Sequence, residues 1–243
     1  MYRSKRISLV LPCRNEAKNL KVVLENIPEI VDEVIVVCNK STDRSASISR
    51  RFGAKVYKDN RTAAGIGYGF AHITGTAKAT GGIIVGADCD GTYPVEAIPK
   101  IVNHLLDNEL DFISCSRYPL QKGVKIPYKL QIGVKLLNME VRIFYGKKFN
   151  DILSGMWVFK KEVADELKLT MGDWNLSPQI KLNAAMNPEI AFTEYGIVQR
   201  QRIHNLSHQN YFKTGLGHAW WILQNRFRSP AVQAEQTDLQ TAE

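Results

Sequence analysis

The chain has 243 residues, 23% of them charged and 44% hydrophobic, the make-up of a soluble globular protein with a sizeable core and no low-complexity segment. Lysine and arginine exceed aspartate and glutamate by 32 to 24, a formal charge of +8 that favours anionic partners; no aromatic-and-basic RNA motif or recognition-helix pattern accompanies it, so nucleic acid is not an expected partner. No apolar run approaches the roughly 18–20 residues that cross a bilayer, and the basic start reaches Pro12 and Arg14 too soon for a secretory core, so a cytoplasmic location is expected.

In chain order, residues 7–12 predict a strand and residues 16–27 an amphipathic helix with Leu20, Val23, Leu24 and Ile27 inward. Residues 34–38 predict a second strand. Ser41, Thr42 and Asp43 then offer capping side chains to a helix over about 45–52, and a short strand follows at 55–58. Gly65, Gly67 and Gly69 open the next helix, where Gly65 and Gly67 could present backbone N–H groups to an anion. The apolar run from Gly82 reads as a buried strand, Pro94 leads into a helix over about 95–108, and 112–116 is another strand. Strands alternating with helices at this spacing imply an α/β protein with a mostly parallel sheet and helices on both faces. Ligands of such sheets bind beyond the carboxyl ends of the strands, where Pro12, Cys38, Asp88, Asp90 and Ser116 are expected.

After Arg117 the alternation stops. A basic segment from Gln121 to Lys135 leads into a helix ending near Tyr145; the stretch 151–159 carries no assigned element, a helix covers about 178–186, and two short strands fall between Ile190 and Gln201. The last helix, about 211–228, mixes Phe212, Leu216, Trp220 and Phe227 with Lys213, Arg226 and Arg228; it either docks on the core or rests on a membrane surface. One domain is expected over 1–228, in two halves that meet at 118, with a flexible tail over 229–243.

The residues with the most chemistry are Asp88 and Asp90, two carboxylates one residue apart at the end of an apolar strand. Side chains two apart on an extended chain share a face, so both can reach one hard cation. Phosphate oxygens would complete its shell, which makes a nucleotide-sugar diphosphate the simplest ligand. The alternative is that the acids cap the helix after Pro94. The four cysteines, 13, 38, 89 and 115, form no C-x-x-C pair and read as small apolar fillers gathered at one sheet edge; the five histidines show no ligand spacing.

Five segments carry a resemblance: Leu-Pro-Cys-Arg-Asn-Glu at 11–16, Val-Val-Cys-Asn-Lys-Ser-Thr-Asp at 36–43, Asp-Cys-Asp-Gly-Thr-Tyr-Pro at 88–94, Ser-Arg-Tyr at 116–118 and Asp-Ile-Leu-Ser-Gly at 151–155. In this order and at these distances the chain resembles the family 2 glycosyltransferases, above all the dolichyl-phosphate mannose synthase (polyprenyl-phosphate glycosyltransferase) type. The resemblance implies a GT-A, Rossmann-like nucleotide-binding fold, a divalent metal (Mg2+ or Mn2+), and inversion at the sugar carbon. It also implies a GDP- or UDP-linked donor met by a nucleotide-sugar half over 1–118, a polyprenyl phosphate or other lipid-linked acceptor met by an acceptor half over 119–228, and peripheral contact with the inner face of the membrane. Pro12, Asn15 and Glu16 match the segment that meets the nucleoside, Asp88 and Asp90 the metal pair, and Arg117 and Arg202 arginines that face phosphate. Ser154 and Gly155 match the acceptor-side turn preceded by Asp151, which is either a base for a hydroxyl acceptor or a cap on that turn.

The departures are specific. Cys38 and Asn39 stand where two acids, or Asp-Asn, are usual; Gln131 replaces an arginine, with Lys129 and Lys135 nearby as acceptor-side cations; Trp157 replaces another. The lost acid leaves a second reading open, a catalytically silent relative that binds nucleotide-sugar.

Overall fold

The computed structural model describes residues 1–62, 67–120, 124, 126–202, 204 and 210–227. One seven-stranded sheet runs through it, in the order β3-β2-β1-β4-β6-β5-β7. At its centre lie β1 (Ile7–Cys13), all of whose residues are buried, and β4 (Ile83–Gly86). β2 (Glu33–Cys38) and β3 (Lys55–Lys58) add in parallel on one side of β1. On the other side β4 is parallel to β1, and β5 (Phe112–Ser116) is parallel to the edge strand β7 (Phe192–Gly196).

β6 (Trp157–Lys160) fills the gap between β4 and β5 and runs antiparallel to both, so the mostly parallel sheet is mixed. No strand was expected there, because four residues with three consecutive apolar side chains show no alternation to count. Where two short strands were expected after Ile190, the described residues hold one, β7.

The helices are α1 (Ala17–Glu25), α2 (Ser45–Arg51), α3 (Tyr68–Lys78), α4 (Ile98–Asp107), α5 (Tyr128–Tyr145), α6 (Leu176–Met186) and α7 (Tyr211–Phe227). β1 shows how they sandwich the sheet: Ile7, Leu9, Leu11 and Cys13 join the core under α1 and α4, whereas Val10 faces the opposite core with α3 and α6. This is the period of two of an extended chain, with both faces buried as a parallel sheet demands. A third cluster holds Leu137 and Val141 of α5 against Leu182, Trp221 and Ile222.

The loops beyond β1 and β2 are tied together by short polar side chains. Asp43 accepts from the backbone N–H of Ser45 (2.9 Å) and of Ala17 (3.0 Å), so one carboxylate serves the starts of two helices. Asn15, at φ +56°, accepts from the Thr42 N–H at 2.8 Å. All four cysteines are free and buried; the Cys38 thiol is pushed up by its hydrogen bond to Cys13 and by burial. Among the described residues no helix is long and apolar enough to cross a membrane. The expected tail lies outside the described residues, as does Gly65.

Candidate active site

A cleft of about 1450 Å3 opens at the carboxyl edge of the sheet, where loops from β1, β2, β4 and β5 converge beneath α5 and α7. It exceeds the roughly 300–1,000 Å3 typical of a single small-molecule pocket. Pro12, Glu16, Asn39, Asp88, Asp90, Arg117, Lys129, Gly155 and Arg202 line it. Asn15, Cys38, Asp151 and Ser154 are not part of its lining, and Lys135 lies out on the exposed surface of α5.

β4 ends at Gly86, whose missing side chain makes room for the Trp157 indole: a Cβ there would lie 2.3 Å from its Nε1. Asp88 and Asp90 therefore sit in the turn that follows, not on an extended strand as the spacing argument assumed, yet both line the same cleft. Asp88 accepts from the Tyr68 hydroxyl at 2.9 Å. Burial, reinforced by the charge of Asp90, pushes its carboxyl up to about 8. Asp90 accepts from Thr92 through its N–H (3.0 Å) and hydroxyl (2.6 Å), and burial raises it as well. Two neighbouring carboxylates, only one of which is paired with a cation, are matched by a hard divalent cation. Among the described residues no cluster of three or more His, Cys, Asp or Glu that could hold a metal exists. The remaining ligands of a bound cation would then be water and ligand oxygens.

Arg202 is the cation closest to hand. Its guanidinium reaches Asp90 at 3.2 Å and also Glu16, while Nε donates to the His204 carbonyl at 3.0 Å. Glu16 is held in turn by Asn19 at 2.7 Å. Arg202 thus spans the loop after β1 and the acid pair.

On the other wall, Arg117 forms a two-pronged pair with Asp151, Nε to Oδ2 at 2.6 Å and a terminal nitrogen to Oδ1 at 2.8 Å. The Arg117 N–H adds a third bond at 3.1 Å. Burial alone would raise Asp151, but Arg117 holds it below the usual carboxylate range. Asp151 is therefore a fixed counterion that aims Arg117 and does not face the cleft.

The turn between Asp151 and Gly155 is positioned by a residue that the sequence reading passed over. Lys181 of α6 is fully buried and donates to the carbonyls of Asp151 (3.2 Å), Ile152 (2.9 Å) and Ser154 (2.5 Å). Burial brings its ammonium down to about 7. Its sequence signal is a lone cation on a helix whose other residues around it, Ile180, Leu182 and Ala184, are apolar. Gly155 is forced by proximity: a Cβ there would meet both Asp88 oxygens at 3.0 Å and the Tyr68 hydroxyl at 2.9 Å, while its N–H donates to the Tyr93 hydroxyl at 2.6 Å. Tyr68 also stacks on Trp174, ring centres 4.5 Å apart, so an aromatic floor underlies the acid pair.

Asn39 has a different character. Its Nδ2 donates to the Arg61 carbonyl at 2.8 Å, which fixes the amide, and its buried Oδ1 has no partner among the described residues. An unpaired buried acceptor on a cleft wall is a place for a ligand donor.

This sheet, with acids beyond β4 and an antiparallel strand at its middle, defines a glycosyltransferase of the GT-A class. The sequence pattern described as Glycosyl transferase family 2 matches residues 8–168, and the chain belongs to that family. It is 29% identical over 163 residues to a low-salt glycan biosynthesis hexosyltransferase of Haloferax volcanii, covering 64% of this chain and 38% of that protein. Over 188 residues it is 28% identical to a dolichyl-phosphate hexose transferase of the same organism, 76% of this chain and 79% of the relative. The dolichol-phosphate mannosyltransferase of Pyrococcus furiosus is 28% identical over 210 residues, 80% and 58% respectively. Among solved structures, glucosyl-3-phosphoglycerate synthase from Mycobacterium tuberculosis, in complex with Mn2+, uridine diphosphate and phosphoglyceric acid, superposes with a TM-score of 0.70 at 20% identity. That match covers 92% of this chain and 78% of the synthase, and it shows the shared fold.

Proposed function

We propose that the protein transfers a hexose, with inversion at the sugar carbon, from a nucleotide-sugar to a polyprenyl phosphate or related lipid-linked acceptor. The observation that carries this reading is the acid pair Asp88 and Asp90, half-buried in the lining of the cleft, with both carboxyls raised by burial and that of Asp88 raised further by the charge of Asp90. A Mg2+ or Mn2+ ion held there would act as a Lewis acid on the leaving diphosphate. Arg202 and Glu16 would meet the same end of the donor, with the Arg202 fork turning from Asp90 to phosphate oxygens.

Asn39 narrows the base. Its unpaired Oδ1 accepts an N–H, such as the ring imide of uracil or the N1–H of guanine. The dolichyl-phosphate hexose transferase of Haloferax and the dolichol-phosphate mannosyltransferase of Pyrococcus carry such an acceptor in their names, and the geometry suits it. A phosphate arrives already anionic and needs no strong base. Asp151, the carboxylate nearest to that role in the sequence, is taken up by Arg117.

The test is transfer by purified protein from UDP- and GDP-hexoses, with Mn2+, to a short-chain polyprenyl phosphate and to the corresponding alcohol. The expected result is a phosphate-linked glycoside of inverted anomeric configuration, made from a uridine or guanosine donor and absent without divalent metal. A glycosylated alcohol with no product on the phosphate, or a retained configuration, would overturn it.

A further inference from the structure

α5 carries two apolar faces, and the core uses one. Val134, Leu137 and Val141 are buried, whereas Tyr128, Ile132, Leu136, Met139 and Ile143 are exposed at intervals of three and four, which places them along one stripe. α7 repeats the pattern: His218, Trp221 and Ile222 are buried, and Phe212, Leu216, Trp220 and Phe227 are exposed. Of the 14 exposed large hydrophobic side chains among the described residues, 10 lie on these two helices, so the patch is local and not the scatter any surface shows.

The helices are fastened side by side. The Tyr145 hydroxyl donates to the Ile222 carbonyl at 2.8 Å, and Arg226 Nε to the Phe144 carbonyl at 2.7 Å. The stripes meet at the cleft, because Leu136, Phe212 and Leu216 are both exposed and part of its lining. Around them stand Lys129, Lys135, Arg142, Lys213 and Arg226, all exposed, against one acidic residue on either helix, Glu140.

We infer that the paired outer faces of α5 and α7 form a docking surface for an anionic lipid bilayer, which brings the mouth of the cleft to the level of the headgroups. Apolar side chains flanked by cations bind such an interface through buried area and attraction to anionic lipid together. Tyr128, Tyr211 and Trp220 have the amphipathic rings that settle at headgroup depth. A second copy of the chain is a poorer occupant, since a symmetric contact would set these five cations against themselves. The inference rests on the proposed lipid-linked acceptor, whose phosphate would enter at Lys129 without its tail leaving the bilayer.

The experiment is flotation of the full chain with vesicles of phosphatidylcholine alone or mixed with phosphatidylglycerol, in low and high salt. The variant combines Met139→Glu, Ile143→Glu and Trp220→Glu, none of which lines the cleft. Wild type should float with the anionic vesicles in low salt, and the variant should bind them roughly tenfold or more weakly with unchanged melting temperature. Equal binding of wild type to both lipids, undiminished binding by the variant, or a wild-type dimer that the variant converts to monomer would each overturn the inference. Donor hydrolysis without acceptor, read in parallel, reports on the transferase reading independently, because it needs no vesicle and should be the same in both proteins.

Discussion

The two edges of the sheet treat a buried carboxylate in opposite ways. At the amino edge, Glu33 opens β2 and is saturated: Oε1 accepts from Lys55 (2.6 Å) and the Thr80 hydroxyl (3.1 Å), Oε2 from Ser8 (2.5 Å) and the Thr80 N–H (2.8 Å). Burial alone would raise this carboxyl, but its partners hold it at about 2. At the carboxyl edge, Asp88 has one tyrosine hydroxyl and a like-charged neighbour, and it sits at about 8. Glu33 is a finished interaction that stabilises the fold. Asp88 is an unfinished one, and an incoming cation can complete it. A buried acid thus speaks for structure or for function according to whether the protein has supplied its partners.

The contrast breaks most directly at the unfinished site. Asp88→Asn and Asp90→Asn should each lower transfer by about a thousandfold, as judged by kcat, and abolish the rise in melting temperature on adding Mn2+. The sign with pH is definite. The folded protein keeps the Asp88 proton up to about pH 8 while the unfolded chain releases it near 3.8, so metal-free stability falls as pH rises through that window. Asp88→Asn should remove that slope in a thermal series. If the slope persists, Asp88 is not the frustrated group.

Lys181→Met should cost about tenfold to a hundredfold in kcat with donor KM nearly unchanged, because the turn carrying Gly155 loses its anchor and drifts relative to Asp88. An equal rise in KM would mean that the lysine supports donor binding instead. Arg117→Lys keeps the charge but not the fork on Asp151, and an effect on the order of tenfold in kcat/KM is expected.

Glu33→Gln should leave activity below the melting temperature intact while removing on the order of 2–3 kcal/mol of stability in denaturant titrations. The Glu33 contribution is fully present above its ordinary value of 4.5 and vanishes as pH falls through about 2, the reverse of the Asp88 trend. Wild type and variant should therefore converge in stability under strong acid.

Much of this arrangement is legible in the chain. The strands at 7–12, 34–38, 55–58 and 112–116 announce themselves by apolar runs between turn residues, and Pro12, Asp88, Asp90 and Arg117 lie in segments whose order is itself informative. What stays hidden depends on tertiary partners. Asp151 finds Arg117 34 positions away, and no local pattern separates a fixed counterion from a base. Lys181 acquires its meaning only when three carbonyls converge on it. The unpaired oxygen of Asn39 is a property of its surroundings, which its place after β2 does not reveal. α5 has apolar residues on two faces, so periodicity alone does not say which one the core takes.

β6 decides how far the molecule can be taken apart. The segment that furnishes Gly155 returns to lie between β4 and β5, which never touch each other directly in the strand order. Cutting the chain at residue 118 would leave β5 without the neighbour that joins it to the rest. The chain before residue 118 and the chain after it are thus woven into one cooperative unit, and grafting the later part of one relative onto the earlier part of another should yield insoluble hybrids unless the grafted β6 matches the β4 and β5 of its host.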